Sequence, residues 1–181
     1  MSAKKPTPTW SAVKTKLSNF DQAALISLVQ DLYAASKDTR TFLHVRLHLG
    51  GDVLAPYKAS IDRWLWPDVL QQQETSVAKA KQAIADYKKA SGTADGLAEL
   101  MVFYCEQASG FSNDVSLDDE GYFEALVRMF GQALKAIDTL PQTQRRALLS
   151  RLDAVRQISH EFGYGVGEDM DSLLEAHGGY G

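Results

Sequence analysis

A chain of 181 residues with 45% hydrophobic and 23% charged side chains has the make-up of an ordinary globular protein, which excludes a disordered or fibrous one and is enough for a single core. No run approaches the roughly 18 consecutive apolar residues of a membrane span, and Met1 to Pro8 lacks the apolar stretch of a secretory signal, so a cytoplasmic protein without membrane association is expected. The lone Cys105 cannot form an internal disulfide, which fits a reducing compartment, and the net charge of -4 divides into 13 Lys/Arg against 8 Asp/Glu over residues 1–92 and 6 against 15 over residues 93–181.

The plainer reading of that division is two halves that neutralise each other in the fold or in a dimer; the sharper one is a basic half that binds an acidic partner. Residues 1–8, with two prolines and two lysines, read as a flexible tail ahead of one helical domain over 9–177. A short helix is expected over Trp10 to Leu17. Ser18 with Asp21 three positions on has the capping-box pattern, and Leu25, Leu28, Val29, Leu32 and Tyr33 then share one helical face, predicting a helix over about 19–36.

Residues 39–49 fit two periods. Leu43, Val45, Leu47 and Leu49 alternate as in a strand, while Phe42, Val45, Arg46 and Leu49 fit a helix. Helix is preferred, because nothing else in the chain alternates and an unpaired strand is unstable. Asp52 caps the next helix, which carries Tyr57, Ile61, Trp64 and Leu65 and stops at Pro67.

Ser76 opens a helix that ends at Gly92, and Asp95 starts another with a broad apolar face up to Gly110. A short loop over 111–115 follows. Ser116 with Asp119 repeats the capping pattern before the most amphipathic segment, Tyr122 to Ile137, and Pro141 stands at the start of a helix through Phe162. Glycines 163, 165 and 167 then break the chain ahead of a last helix with Met170, Leu173 and Leu174. The expected fold is all-α, an irregular multi-helix bundle or array of helical hairpins with eight to nine helices.

Several phrases carry a likeness when read together: Val29-Gln30-Asp31-Leu32-Tyr33, the Tyr57-Lys58 helix running into Trp66-Pro67, Ala78-Lys79-Ala80-Lys81 to Asp86-Tyr87-Lys88-Lys89, and Glu99-Leu100-Met101-Val102-Phe103-Tyr104. Over most of residues 17–175 the chain resembles a family of uncharacterised bacterial all-helical proteins, a domain of unknown function. The resemblance implies a bacterial, cytoplasmic, helical domain and assigns no functional residue.

Few constellations suggest chemistry. His44 and His48, four apart, would share a helical face and hold one metal with a third ligand, although the glutamate of a zinc protease motif is missing; two solvated histidines are the simpler reading. The Gly163 to Gly167 stretch has no preceding strand and an acidic helix start, so it reads as a turn rather than a phosphate loop. Asp118, Asp119, Glu120 and Glu124 lack EF-hand spacing and read as helix capping, and Cys105 reads as buried and inert.

The basic half interleaves Arg63, Lys79 and Lys88 with Tyr57, Trp64, Trp66 and Tyr87, a composition that can stack bases. The aromatics sit at core spacing and the chain is acidic overall, so nucleic acid is not expected. Trp64 and Trp66 differ by about 200° around a helix, and Trp64 is in register with Tyr57 and Ile61. That assigns Trp64 to the core and Trp66, with Arg63, Lys79 and Lys88, to an interaction surface; a Trp66 folded back under the Gln71 to Gln73 loop is the competing arrangement.

The function expected from the sequence is a non-catalytic protein-interaction module without cofactor, binding another protein or a second copy of itself. The alternative is a metal-assisted hydrolase or small-ligand enzyme centred on His44 and His48.

Overall fold

The computed structural model describes residues 7–178. Among them are nine α-helices and no strand: α1 Trp10–Leu17, α2 Gln22–Ala35, α3 Lys37–Arg46, α4 Ala55–Leu65, α5 Val77–Ala90, α6 Ala94–Val115, α7 Glu120–Ile137, α8 Gln142–Ser159 and α9 Val166–Ala176, with one 3-10 turn at Val69–Gln71. The all-α architecture read from the sequence is therefore the one observed. The expected tail lies outside the described residues up to residue 6.

The helix starts follow side-chain capping, with two shifts from the sequence reading. Asp21 and Asp119 are themselves the caps, each Oδ1 accepting from the backbone N–H three residues on at 2.8 and 2.9 Å. The serines three positions earlier are already used to close the preceding helices. Ser18 returns its N–H to Lys14 and its hydroxyl to Thr15, and Ser116 ends α6 in the left-handed region at φ 51°. Ser36 caps α3, so residues 37–46 are helical and the strand alternative for 39–49 does not form.

The core is built around α6. Its buried positions, including Leu100, Val102, Tyr104, Cys105, Ala108 and Phe111, spread over more than half of its circumference, and α4, α5, α7 and α8 all pack on it. α9 closes over α7 and α8, where Met170 is fully buried and Phe162 stacks on Phe123 at 5.3 Å. The Tyr122 hydroxyl donates to the Leu65 carbonyl at 2.9 Å and ties α7 to the end of α4.

Gly110 is not the end of α6, as the sequence suggested, but a notch within it. The Trp66 ring lies so close that a Cβ there would sit 2.4 Å from Trp66 Cζ3. Gly96, in the first turn of α6, is a tighter notch: a Cβ would fall 2.0 Å from the hydroxyl of Tyr87, which is 1% exposed and hydrogen-bonded to Thr93 at 2.8 Å. Gly96→Ala is expected to destabilise the fold by about 1–3 kcal/mol through overpacking, in spite of alanine's higher helix propensity. Urea unfolding should give a lower midpoint with unchanged slope, and Tyr87→Phe in the same chain should restore part of the loss.

Candidate functional site

Two features stand apart from the core, and the larger is the N-terminal arm. α2 is apolar along Leu25, Ile26, Val29, Leu32 and Tyr33, a stripe that a soluble helix turns toward its core. Yet neither α1 nor α2 contains a buried residue. Among the described residues α2 packs mainly on α3, with Tyr33 and His44 joined by a 2.9 Å hydrogen bond, and α3 reaches the bundle mainly through α5. Of the 17 exposed large apolar side chains among the described residues, 11 lie between Trp10 and Leu49, so the exposed apolar side chains are concentrated in the N-terminal segment.

The second feature is a cleft of about 630 Å³ between α3, α4 and α5. Trp64 is its platform. The Arg63 guanidinium lies 4.5 Å from the centre of that ring and Lys79 Nζ 3.7 Å from it, so two cations share one aromatic side chain. Ser60, Arg63 and Trp64 from α4 line the cleft with Lys37 and Thr41 from α3 and Asp86 from α5. Tyr57 also lines the cleft, and burial first, then the neighbouring Asp86 and Tyr87, raise its hydroxyl above its ordinary value. Arg63 Nη1 is shielded from solvent and has no hydrogen-bond acceptor.

The expected surface residues separate in the structure. Arg63 and Lys79 come together on Trp64, whereas Trp66 turns to Gly110 of α6 and remains 38% exposed, and Lys88 is exposed on α5 outside the cleft. Trp64 is only partly buried; the fully packed row of α4 is Tyr57, Ile61 and Leu65, an i, i+4, i+8 set. Lining residues that the sequence reading missed carry a helical signal of their own. Pro56, Ser60, Arg63 and Trp64 repeat at i, i+4, i+7 and i+8, and Lys37 and Thr41 at i, i+4.

His44 and His48 do not form the shared helical face on which a metal pair depends. α3 ends at Arg46, His48 lies beyond it with φ 55°, and His44 is engaged by Tyr33. Among the described residues no group of three or more His, Cys, Asp or Glu is placed to hold a metal ion. Tyr164 and Gly165 form a left-handed turn into α9, and Asp119 and Glu124 serve as cap and as partner of Arg128 at 2.9 Å. Cys105 is fully buried, and burial followed by the nearby Glu106 raises its thiol well above the ordinary range. No described helix is long and apolar enough to cross a membrane.

Two pairs of carboxylates among the described residues each share an arginine: Asp153 and Asp171 on Arg156, with His160 3.2 Å from Asp171, and a second pair on α6. Glu99 and Glu106 on α6 share Arg151 of α8, at 2.5 and 2.7 Å, and Lys58 of α4 adds a 2.6 Å contact to Glu99. The forked guanidinium and the Lys58 ammonium together balance both carboxylates and tie α8 and α4 to α6. Burial is the largest single influence on Glu99 and raises it, but hydrogen bonds and charges from Arg151 and Lys58 together outweigh it and hold the carboxyl below its ordinary value of 4.5.

Compared with known proteins, the chain matches no family model, no curated protein and no solved structure, so its function rests on this geometry. The ion cluster gives a pH test. A carboxylate with a depressed folded pKa contributes stability that is complete above its unfolded value and is lost as pH falls through the folded value. Stability should therefore stay level from neutrality to about pH 5 and decline below it. Glu99→Gln should lower stability at neutral pH and make the acid decline shallower, as read by denaturant midpoints across pH.

Proposed function

We propose that this chain is a non-catalytic protein-interaction module of the bacterial cytoplasm that acts as a homodimer, the α1–α3 arm of one copy closing on the same arm of another. The observation that carries the reading is α2: α3 is the one helix it packs against extensively among the described residues, and none of its residues is buried. A 14-residue helix is marginal in water without tertiary burial. The 11 large apolar side chains of the N-terminal segment are each 38% to 70% exposed. At roughly 200 Å² for a large side chain, they leave on the order of 1,000 Å² uncovered. One partner in a standard interface contributes about 800 Å², whereas the largest patch on a typical monomer is about 300–600 Å².

A second copy suits this surface electrostatically. Over α1 and α2, residues 10–35, Lys14 and Lys16 balance Asp21 and Asp31, so two copies meet along α2 without net like-charge repulsion, while α3 adds Lys37, Arg40 and Arg46 against Asp38 at the edge of the face. A lone buried cysteine supports the reducing compartment. Analytical ultracentrifugation should find a dimer. Ile26→Asp with Leu32→Asp should weaken association by two orders of magnitude or more, about 3 kcal/mol, while α4–α9 keep their helical signal. A wild-type chain that remains monomeric at the highest concentration it tolerates would remove the second copy as the occupant of this face.

A further inference from the structure

The cleft between α3, α4 and α5 borders the arm and shares Phe42 of α3 with it. We infer that it binds a small organic carboxylate with an aromatic or branched apolar body, held by Arg63.

The polar side of the cleft has an unused cationic capacity. Lys89 is paired with Asp86 at 3.1 Å, and Asp86 also accepts from Gln82 at 2.8 Å, so that carboxylate is engaged on the far side of the cleft. Asp38 stands in the first turn of α3, where the free backbone N–H groups favour its charge. What remains among the described residues is Lys37, which makes no ion pair with them, and Arg63, whose Nη1 is shielded from water with no acceptor among them. A shielded guanidinium N–H without an acceptor is uncommon, because its desolvation goes uncompensated, and it leaves the rest of the Arg63 guanidinium as the part that a ligand in the cleft can meet.

Arg63 is also held in place before any ligand binds. Stacking on Trp64 at 4.5 Å fixes the plane of the guanidinium, and Lys79 over the same ring adds positive potential. A flat, pre-oriented fork suits a carboxylate, and the hydroxyls of Thr41 and Ser60 line the same space as further donors. The remaining walls, Phe42, Pro56, Tyr57 and Ala83, are mostly apolar and match a ring or branched chain better than a sugar or a bare phosphate. A volume of about 630 Å³ lies within the range of small-molecule sites.

The test is an amide NMR titration of the full chain with benzoate and indole-3-acetate, with the neutral amide of each, and with inorganic phosphate. Saturable shifts centred on residues 37–42 and 56–64 are expected for the carboxylates, with at least tenfold weaker binding of the neutral amides and of phosphate. Arg63→Gln should weaken the carboxylates at least tenfold, Lys88→Gln should leave them unchanged, and Ser60→Leu, which fills the cleft without removing charge, should abolish binding even if Arg63→Gln perturbs the fold. Equal binding of acid and amide, phosphate binding in place of the carboxylates, no shift with any probe, or full binding by a folded Arg63→Gln chain would each overturn the inference.

Discussion

The burial of α6 is the constraint on which the rest of the structure depends. At 22 residues it is about 33 Å long and spans the molecule, and more than half of its circumference is apolar. A helix of that kind needs neighbours on several sides, and α4, α5, α7 and α8 take those places. The Arg151 fork onto Glu99 and Glu106, with Lys58 alongside, fixes the register of two of these neighbours. Once those sides are occupied, α3 is left to pack mainly against α5 and α2 to pack against α3. The exposed arm and the open cleft are both consequences of a core that closes without them.

Much of this was legible in the sequence because it depends on local chemistry. Caps, helix-spaced apolar residues and chain-breaking glycines locate nearly every helix to within a turn. The misplacements have tertiary or sequential causes. Ser18 and Ser116 look like caps until it is seen that each one ends the helix before it, leaving Asp21 and Asp119 to start the next. Gly110 looks like a terminator, since only the approach of the Trp66 ring explains why a glycine is needed in mid-helix. His44 and His48 have metal-like spacing only if the helix continues, and it stops at Arg46.

The candidate sites were less legible for a related reason. Apolar periodicity in α2 reads as a core face, because a sequence does not reveal whether the core has room for it. Arg63 and Lys79 are 16 positions apart, and their meeting on Trp64 is set by how α4 packs on α5. The aromatic residue chosen for the core is the one that carries the charges, and the one chosen for the surface spends part of its ring on Gly110.

The central claim is that α2 is a helix completed from outside its own chain. Amide hydrogen exchange along α2, followed as protein concentration is varied, tests this most directly, since none of its residues is buried and its main packing partner is α3. The account predicts weak protection in dilute protein that rises with concentration, against strong and constant protection in α6. Protection of Leu25 to Tyr33 that equals that of α6 in the most dilute sample, with no dependence on concentration, would contradict it.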